Sequence, residues 1–88
     1  MARKIEFDKF LIIECSAREL YIASGSPGIC DHCANPSANG FYIAVLNRWF
    51  CPKCYKEWKE RAHWYPEDAD IENKNFDFYA PRLGVKCQ

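Results

Sequence analysis

The stretch Gly28 to Trp58, GICDHCANPSANGFYIAVLNRWFCPKCYKEW, holds four of the chain's six cysteines, as the pairs Cys30/Cys33 and Cys51/Cys54. Two Cys-x-x-Cys units this close together restrict the fold more than any other feature of the sequence. Zinc takes four ligands in a tetrahedron and favours thiolate sulfur. One Cys-x-x-Cys turn puts two sulfurs on an ion, and backbone amides inside the turn are free to donate hydrogen bonds to them. A second pair completes the shell. The seventeen residues from Ala34 to Phe50 must then fold back to bring the pairs together. The spacing predicts one structural Zn2+ held by Cys30, Cys33, Cys51 and Cys54.

Other chemistries use such thiols. Two disulfides are opposed by a reducing compartment. A thioredoxin-like redox pair needs a βαβ context that this sequence lacks. Rubredoxin-like iron or an iron–sulfur centre also accepts four cysteines, and spacing alone does not separate it from zinc. His32, inside the first pair, is an alternative ligand that four sulfurs make unnecessary, so a surface position is expected. His63 is expected near the last carbonyls of a helix, where a cationic ring is favoured. Cys15 is expected as a buried small hydrophobe. Cys87, beside the C-terminus, is expected as a frayed free thiol. A catalytic zinc keeps one position open for water, and four cysteines close it. There is no nucleophile–base pairing and no phosphate loop, and Asp68 and Asp70 suit a solvated loop. No enzyme is expected. Zinc binding by finger peptides is worth roughly 10–16 kcal/mol at neutral pH, against a whole-domain stability of about 5–15 kcal/mol. The ion is therefore expected to decide whether the module folds.

Around the cysteines the pattern predicts a small α+β protein. KIEFDKFLIIE alternates at Ile5 and Phe7 and is continuously apolar from Phe10, and ELYIAS follows a short break at Ser16–Arg18. Two strands joined by a turn fit this pattern, with a helix through CSARELYIA as the competing reading. SGSPG, Ser24 to Gly28, is a breaker that leads into the cysteine module. FYIAVL alternates from Phe41, Asn47-Arg48 suits a tight turn, and WF returns, so a short hairpin lies between the pairs. After Cys54 the period changes. Tyr55, Trp58, Ala62 and Tyr65 mark one face of a helix that Pro66 ends. Phe76 to Tyr79 suits a last strand. One domain spans residues 1–88: a β-rich segment at 1–27, the zinc module at 28–65 and an acidic C-terminal extension at 66–88.

Knuckle, hairpin and then a second pair opening a helix resembles the treble-clef class of zinc fingers. CDHC, seventeen residues, then CPKC is similar in spacing to GATA-type fingers and to the four-cysteine finger of the DksA/TraR family. The aromatic flanks are similar to those of LIM-type modules. The resemblance covers Gly28 to about Tyr65 and implies metal binding at the four cysteines. A GATA-type finger implies a basic extension after the helix, whereas YPEDADIENKNFDF is acidic. A DksA/TraR protein implies a long helical segment before the finger, whereas that region here is strand-like. Treble clefs serve DNA, RNA and protein binding alike, so the class leaves function open.

Charge narrows the choice. Twelve basic and twelve acidic residues cancel, which lowers the expectation of a nucleic-acid binder. The charges segregate, however: Arg48, Lys53, Lys56, Lys59 and Arg61 face only Glu57 and Glu60 in their stretch, while Glu67, Asp68, Asp70, Glu72 and Asp77 face only Lys74. Aromatic residues are 16% of the chain, more than so small a core readily absorbs. Trp49, Trp64 and Tyr65 are the candidate contact residues for a protein partner, and Trp58 is expected to fill the core. The expectation is a zinc-stabilised interaction module or regulator with an unidentified protein partner. The alternative is a nucleic-acid-binding transcriptional regulator using Arg48, Lys53, Lys56, Lys59 and Arg61. No apolar run approaches the roughly 20 residues of a membrane span, the N-terminus has no signal-peptide core, and a cytoplasmic location is expected.

Overall fold

The computed structural model describes residues 2–7 and 9–85. Four strands, β1 (Arg3–Phe7), β2 (Phe10–Ser16), β3 (Asn39–Ile43) and β4 (Arg48–Phe50), form one antiparallel sheet in chain order. Successive side chains of a strand point to opposite faces. In β2 both Ile12 and Ile13 are completely buried, so both faces of this sheet are covered. That is why the strand is continuously apolar rather than alternating. On one face Ile13, Tyr42 and Trp49 form a cross-strand row that packs with Leu20, Phe76 and Ala80. On the other, Ile12 and Ile43 stand opposite each other and pack with Phe50, Tyr55, Trp58 and the buried cysteines Cys30 and Cys54. The cysteine cluster thus sits at the edge of a hydrophobic core. A Cβ on Gly40 would lie 2.5 Å from the Trp49 ring; glycine there lets the indole lie against β3.

The first expected turn is displaced. The run KIEFDKFLIIE is itself a hairpin, with Phe7 opposite Phe10, and the segment expected as its partner strand, Glu19 to Ser24, is helical. This helix, α1 (Ala17–Ser24), starts at a capping box. Ser16 Oγ accepts from Glu19 N at 3.1 Å, and Glu19 Oε1 accepts from Ser16 N at 2.9 Å. Two otherwise orphaned N–H groups are satisfied reciprocally. The Ser16 amide, helped by that of Ala2, holds the Glu19 carboxyl below its usual value. Gly25, at φ 76°, ends the helix in the left-handed conformation and donates to Tyr21 O at 2.7 Å.

Helix α2 (Pro52–Arg61) opens with proline, whose missing N–H costs nothing in a first turn. It stops at Arg61, with Ala62 extended, one turn before the expected end at Tyr65. Tyr55 and Trp58 are buried, but Tyr65 is extended and 49% exposed, so it does not continue their stripe.

The expected strand at Phe76 to Tyr79 is instead the middle of α3 (Ala69–Arg82), which follows a single 3-10 turn at Pro66–Asp68. Glu72, Phe76 and Ala80 recur every four residues and form its buried face. Within the acidic C-terminal extension, Phe76, Ala80 and Leu83 join the core over β2 and β3. Burying a side chain such as Phe76 stabilises a fold by roughly 1.5–3 kcal/mol. No helix among the described residues is long and apolar enough to cross a membrane. Cys87 lies outside the described residues.

Candidate metal centre

The first cysteine pair sits in a tight knuckle. Ile29 and Pro36 form an antiparallel bridge, and Cys30 N donates to Asn35 O at 3.0 Å. Between them the chain turns back, with Ala34 N donating to Cys30 O at 2.9 Å and Ala34 itself at φ 63°. Asp31 fastens this knuckle to the sheet. Its N–H donates to Trp49 O, and its carboxylate oxygen Oδ2 accepts from Trp49 N, each at 2.9 Å. Trp49 is two residues before Cys51, so this exchange fixes one cysteine pair against the other.

The second pair comes from the start of α2. Cys51 is its N-cap and Cys54 lies in its first turn. The unpaired N–H groups and partial positive charge of a helix N-terminus favour anionic sulfur. Buried Tyr55 and Trp58 anchor the helix on the core, which fixes the direction of that terminus.

The four sulfurs lie within 4.8 Å of one another, and Cys33 Sγ and Cys51 Sγ are 3.9 Å apart. Four sulfurs each about 2.3 Å from a central ion stand about 3.8 Å apart in a tetrahedron. The donor set therefore fits one tetrahedral, thiophilic ion. Cys30 and Cys54 are buried, while Cys33 is exposed and Cys51 half-buried. The local electrostatics divide the thiols. Burial opposes ionisation of Cys30, but the N–H groups of Cys33, Cys51 and His32 together outweigh it and bring the thiol down to about 6. The His32 N–H lies 3.4 Å from this sulfur. Cys54 is pushed upward by burial and by the three sulfurs that crowd it. One thiolate is thus stabilised by the protein alone. A bound metal cation would supply the charge that makes four adjacent thiolates compatible.

The remaining sequence-predicted residues fall in distinct places. His32 is exposed, edge-on to Phe50, and outside the sulfur cluster. His63 packs beside the Tyr65 ring. Cys15 is 2% exposed, and burial raises its thiol to about 11. Trp49 is also 2% exposed, so its ring fills the core instead of facing outward. Its Nε1 is buried without a hydrogen-bond acceptor. Trp64 is half-buried and donates from Nε1 to Glu72 Oε1 at 3.1 Å. Of the three aromatic contact candidates, Tyr65 is the exposed one. Arg48, Lys53, Lys56 and Arg61 are exposed, whereas Lys59 Nζ lies over the Tyr55 and Phe7 rings.

Two acids escape the sequence reading: one ties the site together, and the other holds α3 on the fold. Asp31 is an ordinary loop acid until its pairing with Trp49 is seen. Glu72 is a buried carboxylate that accepts from Leu11 N at 2.8 Å as well as from Trp64. Its placement four residues before Phe76 was the available signal. Comparison of the chain with protein-family models, with curated proteins and with solved structures finds no match.

Proposed function

We propose that this protein is a structural-zinc protein of treble-clef type that serves as a protein–protein interaction module or regulator, and that it is not an enzyme. The observation that carries the reading is the closed donor set: four sulfurs within 4.8 Å, two of them built into a hydrophobic core. Four protein ligands leave no position for a reacting water, which favours a structural role for the ion. Zinc is the preferred ion because a tetrahedral thiolate shell suits it without redox demands. The order of knuckle, β3–β4 hairpin and α2 supports the treble-clef assignment. The interaction role is supported by balanced net charge and by large apolar side chains left at the surface, Tyr21, Ile22, Ile71 and Phe78 among them.

A second reading, nucleic-acid binding through α2, is favoured by the exposure of Lys53, Lys56 and Arg61. Glu57 and Glu60 are exposed on the same helix and weaken its attraction for phosphate. Affinity capture with the zinc-loaded chain, with and without nuclease, separates the two. A partner retained after nuclease treatment supports the protein-binding role. Recovery that depends on intact nucleic acid, with steep salt sensitivity, contradicts it.

A further inference from the structure

One end of α3 leaves an apolar hollow uncovered. Leu46, in the β3–β4 connection, Tyr65 and Ile71 are 38%, 49% and 57% exposed. They surround a pocket of about 200 Å³ that reaches down to the buried rings of Phe10 and Trp58, with Asp68 at its rim. Apolar side chains scattered singly over a surface need no explanation, but a grouped set around a concave site marks a binding surface. A separate hollow lies further along α3. Asn47 follows Leu46, and Phe78 stands two helical turns beyond Ile71, about 10.5 Å along the axis. This second hollow, of about 470 Å³, lies between Asn47, Lys74 and the half-exposed Phe78 ring. Two apolar seats at that separation match side chains at i and i+7 of a helix.

Charge selects the occupant. Beside the first hollow stand Glu67, Asp68 and Asp70, and Asp77 lines the second; the basic side chains near this face are His63 in the first hollow, Lys9 over the Trp64 ring and Lys74 at the second hollow, so the carboxylates predominate around the first. None of Glu67, Asp68 and Asp70 has an ion-pair partner among the described residues. Their field repels phosphate, whether of nucleic acid or of an anionic membrane, and attracts lysine and arginine. We propose that this face receives a basic segment of another polypeptide: an apolar side chain enters the hollow over Phe10 and Trp58, and flanking Lys or Arg residues meet Glu67, Asp68 and Asp70. The proposal rests on the protein-interaction reading above and adds the surface and the chemistry of the partner.

The test uses the zinc-loaded full chain labelled with 15N and two synthetic helical peptides. Both carry leucine and phenylalanine seven residues apart; one has lysine flanks and the other glutamate flanks. The lysine peptide is expected to shift the amide signals of Leu46, Tyr65 and Ile71, and to lose about tenfold in affinity between about 50 and 300 mM salt. The glutamate peptide is expected not to bind. Ile71→Lys, at an exposed helical position, is expected to abolish binding while retaining the metal. The double variant Glu67→Lys/Asp70→Lys is expected to reverse the preference between peptides. Equal binding of both peptides, binding of neither, or shifts confined to α2 overturns the proposal. So does concentration-dependent dimerisation that Ile71→Lys reverses, because the occupant is then a second copy of this chain. A protein partner captured equally well by wild type and Ile71→Lys overturns this surface but leaves the interaction role standing. Complete absence of a protein partner removes that role itself.

Discussion

Asp31 and Trp49 exchange two hydrogen bonds, Asp31 N to Trp49 O and Trp49 N to Asp31 Oδ2, both at 2.9 Å. The pair joins the first cysteine knuckle to the strand that delivers the second. Groups that orient metal ligands typically contribute about 10–100-fold to metal affinity. Asp31→Ala is expected to weaken zinc binding by about that factor, and Asp31→Asn by less, because an amide oxygen still accepts from Trp49 N. Competition titration with a chromophoric chelator reads the difference. Unchanged affinity in Asp31→Ala would mean that the knuckle holds its geometry without this tie.

Glu72 plays the corresponding part for α3. Its two oxygens accept from Leu11 N and Trp64 Nε1 beneath the helix. Hydrogen bonds to a charged group are worth about 1.5–3 kcal/mol each, and a buried donor left alone costs a similar amount. Glu72→Ala is expected to destabilise the fold by about 3 kcal/mol or more. Glu72→Gln keeps one acceptor oxygen and should lose roughly half as much. Urea unfolding followed by tryptophan emission measures both. Equal stability of all three proteins would show that this carboxylate is incidental.

The cysteine module was legible before the structure because its signals are local. Ligand spacing, the alternating hairpin and the helix-period aromatics all act within a few residues of one another. The helix α1 was legible in principle: Ser16 and Glu19 form a capping box and Gly25 ends it, but the apolar content of ELYIAS resembles a strand. The helix α3 was hidden for a different reason. Its buried face carries Glu72, a residue whose burial is acceptable only because Leu11 N and Trp64 reach it from distant parts of the chain. Phe76 and Phe78 then mimic strand alternation, although only Phe76 is buried. The same long-range contact decided Trp64, and the packing of Trp49 against Gly40 placed that ring inside.

Cys15 gives the fold an alkaline limit. Burial raises its thiol from 9.0 to about 11. The folded state therefore favours the neutral thiol. The associated stability is complete below pH 9 and is lost as pH rises toward 11. At about 1.4 kcal/mol per unit, the loss approaches 2–3 kcal/mol. Burial of Tyr42 shifts its phenol in the same direction and adds to the effect at higher pH. Denaturation midpoints at pH 8 and at pH 10.5 are expected to fall further for the wild type than for Cys15→Ala. Parallel losses in the two proteins would show that Cys15 does not set this limit.

The account depends on the four sulfurs sharing one ion. Native mass spectrometry of reduced, freshly purified protein, paired with circular dichroism during chelation, tests this most directly. One zinc per chain is expected, with loss of ordered structure as the chelator removes it and full recovery on adding zinc. A metal-free chain, or a spectrum that chelation leaves unchanged, would contradict the account.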